Sequence, residues 1–178
     1  MNKIKLNPRV VFIVGVVLFG AFMRLMPHWP NFTPILAMAL FGGAYFGKKH
    51  LAFIIPLAAM LVSDLFLGFH QWMLAVYVSF ALVVGIGLLL QSRIKVGTVL
   101  LASIASSLLF FIITNFAMWI GSPFYSQNFA GLIQCYTAAL PFLNTGILGD
   151  LFYSGVFFGG FYLAQQRFPK LAKVKVNS

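Results

Sequence analysis

The chain has 178 residues, 61% hydrophobic and 8% charged, with 12 Lys and Arg against 2 Asp and Glu for a formal net charge of +10. A soluble domain carries about 25% charged residues, so this composition excludes a water-facing globular surface. The apolar runs suit helical spans of ~20 residues, whereas the short alternating segments of a membrane barrel are absent.

The sequence therefore predicts a single membrane domain over 1–178, all-α, with six transmembrane helices. The N-terminal stretch MNKIKLNPRVVFIVGVVLFGAF is basic and then apolar, like a signal peptide. It lacks an A-x-A-type site and Arg24 follows closely, so it reads as a retained first span over 10–26. A short second span, 33–47, stops at Lys48, Lys49 and His50. The third covers 51–67, with a kink expected at Pro56. The fourth covers 72–90, the fifth 96–120 and the sixth 146–165. The connection 121–145 is long and mostly apolar. Within it, 130–140 reads as a short helix stopped by Pro141, too short to span and suited to fold over the outer face as a lid. Ala39, Gly43 and Gly47 on the second span, and Gly155 and Gly159 on the sixth, recur at helix-packing spacing, for packing within the chain or docking onto a partner helix.

The cations set the expected orientation. Lys3, Lys5 and Arg9 precede the first span, Lys48 and Lys49 follow the second, Arg93 and Lys95 follow the fourth, and Arg167, Lys170, Lys173 and Lys175 follow the sixth. The other three connections contain no Lys or Arg, so the alternation places both termini in the cytoplasm. In these positions the positive charge reads as topology signal and lipid contact, not as a nucleic-acid surface. Trp29, Trp72 and Trp119 fall at the outer ends, as an aromatic belt or as stacking surfaces for a ligand.

Arg24 is the one cation outside this pattern, and it shares its level with other polar groups. At about 1.5 Å per residue, Arg24 lies roughly 5 Å below Pro27, Asp64 roughly 6 Å below Gly68, and Asp150 roughly 9 Å below Asn144. Asn115 and Tyr77 fall at similar depths. Unpaired charges inside a bilayer are costly, so such residues face the interior and pair. Arg24 with Asp64 or Asp150 is the natural pair, either as a structural bridge or as part of an outward-facing cavity beneath the lid. Gln134, in the lid, joins Trp29, Tyr77 and Trp119 as a candidate ligand contact.

Two local patterns mislead. GGAYFGKK fits G-x-x-x-x-G-K, but Lys49 replaces the hydroxyl residue and no strand precedes it. Asn31-Phe32-Thr33 matches a glycosylation sequon, but Pro34 follows. The lone Cys135 excludes an internal disulfide and a cysteine-based metal cluster. No catalytic triad, HExxH or metal cluster can be assembled, so neither an enzyme nor a bound cofactor is expected.

The blocks NFTPILAMALFGGAYFGKK and LPFLNTGILGDLFYSGVFFGG resemble an uncharacterised family of small bacterial membrane proteins regarded as candidate transport proteins. That family is similar to the S components of energy-coupling-factor (ECF) vitamin transporters. The resemblance implies an S-component-like bundle in the bacterial inner membrane that binds a vitamin-like small molecule near the outer face. It also implies docking on a transmembrane coupling subunit driven by two ATPases. S components often dock through A-x-x-x-A on the first helix; here Gly15, Gly20 and Ala21 lack that spacing. The expected function is a substrate-binding membrane subunit, with Arg24, Asp64, Asn115 and Asp150 lining or bracing the pocket. The alternatives are an ion- or proton-coupled secondary transporter using Asp64 or Asp150, and a membrane scaffold in which the charges are only structural.

Overall fold

The computed structural model describes residues 7–172, which are helical with no strand among them. Lys3, Lys5, Lys173 and Lys175 lie outside the described residues. The elements are α1 (Pro8–Met23), α2 (Ile35–Tyr45), α3 (Lys49–Leu67), α4 (Met73–Leu90), α5 (Val96–Gly121) and α6 (Phe129–Ser154). A π-helical turn, Gly155–Gly159, then leads without a break into α7 (Gly160–Arg167), and a 3-10 turn covers Pro169–Leu171. Four rods are long and apolar enough to cross a membrane: α3, α4, α5 and the continuous Phe129–Arg167 rod. The chain is an all-helical, multi-pass membrane protein.

The helices run alternately up and down. Arg9 Nη1 donates to the Leu171 carbonyl at 2.7 Å, which sets the start of α1 beside the end of the chain. Lys48, Lys49, Arg93, Lys95, Arg167 and Lys170 sit at that same cation-rich end. The connections 25–34, 68–72 and 122–128, without Lys or Arg, form the other end.

The short α2 is the axis of the bundle. Its residues from Leu36 to Ala44 are all buried, so an 11-residue helix with no polar face is stable only inside other helices. It crosses α4 at backbone contact: a Cβ on Gly43 would collide with the Val84 carbonyl, and one on Gly87 with the Leu40 carbonyl. Small residues permit this approach. Gln91 Nε2 then closes the cation-rich end of α2, donating to the carbonyls of Gly43 at 2.9 Å and Phe46 at 2.8 Å. These are carbonyls a helix end leaves without partners. By contrast, a Cβ added at Gly47, Gly155 or Gly159 would meet nothing within 4 Å. The close packing within the chain expected at these three is therefore absent among the described residues, and they face outward.

The largest departure from the sequence reading lies in 121–145. No lid loop folds there, and Pro141 does not stop a helix: α6 begins at Phe129 and runs through Pro141. Asn128 caps its start, its side chain accepting from the Gly131 amide at 2.9 Å. Gly131 lets that first turn close on Ser126, whose carbonyl leaves no room for a Cβ. Proline removes one backbone hydrogen bond and leaves the rest of the rod intact. Within a membrane protein, neighbouring helices hold such a helix together. Here Tyr136 Oη donates to the Ile112 carbonyl at 2.6 Å, one turn before the proline. The Phe129–Arg167 rod has 39 residues and so extends roughly 58 Å, well past the ~30 Å hydrocarbon core.

Candidate functional site

The polar residues expected at one level form two separate sites. The first is a tight cluster joining α1, α3 and α4. Asp64 is 1% exposed, and its Oδ1 pairs with the Arg24 guanidinium at the end of α1. Its Oδ2 accepts from Tyr77 Oη on α4 at 2.7 Å. Arg24 Nη1 also donates to Ser63 Oγ at 2.7 Å, and Ser63 Oγ donates to the Met60 carbonyl at 2.8 Å. Both carboxylate oxygens are thus taken, and the cluster holds three helices in register. Buried charges are retained when paired and hydrogen-bonded in this way.

The second site is a cavity of about 230 Å³ between α5, α6 and the first turn of α2. Asp150 and Ser107 form its inner wall, and Phe110, Phe111, Phe142 and Leu143 its apolar sides. Asn31, Thr33, Thr114 and Asn115 add polar atoms towards the cation-poor end. Asn31, Phe110, Thr114, Asn115, Ala139 and Phe142 also border a wider vestibule of about 390 Å³, which reaches His70, Trp72 and Tyr125 at the bundle end. Cavity and vestibule adjoin through these shared residues, the vestibule on the side of that end and the cavity on the side of Asp150.

Local sequence explains the shape. Gly149 allows the α1–α2 connection to lie on α6: a Cβ there would sit 3.0 Å from Phe32 Cα. This brings Asn31, Thr33 and the start of α2 beside Asp150. Asn31 adopts φ 61, a left-handed conformation that Asn tolerates better than most residues. Gly121 has no room for a Cβ because the Trp72 ring lies against it, so Trp72 packs on α5 and borders the vestibule.

Asp150 is 4% exposed. Its Oδ2 accepts from Ser107 Oγ at 2.6 Å, and among the described residues it has no ion-pair partner; the ion pair found there joins Arg24 and Asp64. The Arg24–Asp150 alternative is not formed. The expected depth of Asp150 also needs correction. Because α6 starts at Phe129 and not near Gly146, Asp150 meets Ser107, the twelfth residue of the 26-residue α5. It lies near the middle of the bundle and not in the outer third.

Of the eight expected site residues, Asn115 and Asp150 share the cavity. Asn115 donates from Nδ2 to the Phe111 carbonyl at 2.8 Å. Arg24, Asp64 and Tyr77 meet one another but do not line the cavity. Trp29 is 76% exposed and packs edge-on against Phe32. Trp119 Nε1 donates to the Ser126 carbonyl at 3.0 Å, bracing the α5–α6 connection. Gln134 is exposed on α6 and borders neither cavity nor vestibule, because the segment that carries it is a rod and not a lid. Cys135 is buried, its thiol 3.6 Å from the Asn115 carbonyl. The cavity residues missed from sequence include Ser107, Thr114, Asn31 and Thr33. A signal for part of this existed: Ser103, Ser107 and Thr114 fall on one face of α5 at spacings of four and seven.

Residues 4–171 match the Family of unknown function (DUF6580), and the chain belongs to that family. Neither the comparison with curated proteins nor that with solved structures gives a match.

Proposed function

We propose that this member of the DUF6580 family is a substrate-binding membrane subunit that captures a small, vitamin-like molecule from the outer side of the bacterial inner membrane. The observation that carries this reading is the cavity at the buried Asp150, which shares Asn31, Asn115 and Ala139 with the vestibule bordered by Trp72 at the cation-poor bundle end. Largely apolar walls with a few convergent polar groups are the usual make-up of a small-molecule site. In this reading α1 and α2 complete a set of six spans, both termini are cytoplasmic, and the cation-poor end faces outward. The S-component resemblance adds a transmembrane coupling subunit with two ATPases as the energising partner, and the protein itself carries out no covalent chemistry.

The test is occupancy of the cavity. Ala139 is buried and borders both cavity and vestibule, so Ala139→Trp fills the space beside both. The protein purified in nanodiscs is analysed by native mass spectrometry for a retained small molecule. Loss of that molecule in Ala139→Trp, with folding preserved, supports the reading. Equal retention in both proteins refutes it.

A second reading rests on one observation: Asp150 lies at mid-bundle without a cationic partner among the described residues, as a proton or ion carrier in an autonomous secondary transporter would. Asp64, held by Arg24 and Tyr77, does not suit that role. This reading requires uptake by the protein alone in liposomes under a pH gradient, abolished by Asp150→Asn.

A further inference from the structure

The binding reading leaves the class of ligand open, and the charge of the cavity narrows it. We infer that the molecule held between α5 and α6 is a small organic cation, an ammonium on an apolar or aromatic body, whose positive group sits against Asp150. This inference rests on the capture reading above and goes beyond it only in naming the ligand's charge.

The sequence has two side-chain carboxylates. Asp64 has its charge balanced by the Arg24 guanidinium at one oxygen and accepts from the neutral Tyr77 hydroxyl at the other. Asp150 is not: one oxygen takes the neutral hydroxyl of Ser107 at 2.6 Å, and the carboxyl borders the cavity. The remaining polar neighbours are the uncharged side chains of Asn31, Thr33, Thr114 and Asn115. The positive end of the α2 dipole also borders the space through Ile35 and Leu36. A helix N-terminus is equivalent to about half a positive charge, so it offsets only part of a carboxylate. Unpaired charge inside a membrane protein is expensive, and a cationic ligand supplies the missing partner. Phe110, Phe111 and Phe142 line the same cavity, and aromatic rings attract ammonium groups through their quadrupole. An anionic ligand would meet Asp150 with no compensating Lys, Arg or His among the described residues of the cavity wall. The described cations other than Arg24 lie at the opposite end of the bundle.

The experiment uses the full chain in nanodiscs and three probes of similar shape: benzylammonium, benzyl alcohol and benzoate. Binding is read by displacement of the retained molecule and by thermal shift. Benzylammonium is expected to bind at least tenfold more tightly than benzyl alcohol, with benzoate weakest. Asp150→Asn is expected to remove the preference, and Asp150→Glu to keep part of it. If Asp150→Asn does not fold, Asp150→Glu carries the test: a cation preference reduced from the parent's supports the contact with Asp150, and a preference identical to the parent's overturns it. Equal binding of cation and alcohol, or tighter binding of benzoate, overturns the inference. That failure is distinct from failure of the capture reading: Ala139→Trp abolishing retention while the cation preference is absent leaves capture standing and removes only the charge assignment. Retention unaffected by Ala139→Trp removes both.

Discussion

Replacing Asp64 alone and replacing it together with its partners should give opposite results. The Arg24–Asp64–Tyr77 cluster is buried, with Asp64 side-chain exposure of 2% and Arg24 of 11%. In Asp64→Leu, the Arg24 guanidinium keeps only Ser63 and the Met60 carbonyl, and Tyr77 loses its acceptor. Removing one partner of a buried pair costs about 3–5 kcal/mol. Tyr77→Phe removes only a hydrogen bond to a charged acceptor, about 1.5–3 kcal/mol. The triple variant Arg24→Leu, Asp64→Leu, Tyr77→Phe leaves no orphaned polar group from the cluster. Well-packed apolar replacement of buried ion pairs is commonly neutral or stabilising, so the triple should lie within about 1 kcal/mol of the parent. The assay is reversible unfolding in mixed micelles, read by circular dichroism, with ligand retention measured in parallel. The cluster does not line the cavity, so the triple should retain ligand like the parent. A triple variant as destabilised as the sum of its parts would refute the reasoning. Loss of ligand in a folded triple would refute the separation of the two sites.

Gly43→Ala and Gly87→Ala each place a methyl against backbone on the α2–α4 crossing; each should cost about 1–3 kcal/mol or more, while Gly155→Ala, with open space around it, should be neutral or slightly stabilising in the same unfolding assay. Gln91→Ala removes both hydrogen bonds that close the end of α2 and should cost about 1–3 kcal/mol, with Gln91→Glu no better because a carboxylate cannot donate. Pro141→Ala should leave helix content by circular dichroism unchanged and stability equal or higher, since the α6 rod already runs through that position; a gain of helix would show that the proline breaks it. In a Cys135→Ser background, Gln127→Cys should react with a membrane-impermeant thiol reagent from outside intact cells and Lys49→Cys only after permeabilisation, and the reverse pattern would overturn the orientation.

Class and element order follow from the sequence itself because they depend on local and additive quantities. Apolar run length and scarcity of charge specify a helical membrane protein. Cation clusters, Pro27, Pro30 and Gly68 mark the breaks, and the ends of α3, α4 and α5 fall within two residues of the expected positions. That Arg24 pairs with one of the two aspartates was also legible, because a bilayer interior leaves few partners for a lone charge; the structure selects Asp64. Pro141 shows where local reasoning fails. Its cost to a helix is real, but contacts such as Tyr136 with the Ile112 carbonyl lie far apart in sequence and decide that the helix continues. That one decision shifts the start of α6 by many residues, moves Asp150 from the outer third to the middle of the bundle, and turns an expected lid into a rod. Tertiary structure alone divides five polar groups of similar apparent depth into a closed ion-pair cluster and an open cavity. Depth along each helix is set by the chain, whereas the direction in which a side chain faces depends on helix rotation and packing, here fixed by glycine contacts at Gly43, Gly87 and Gly149.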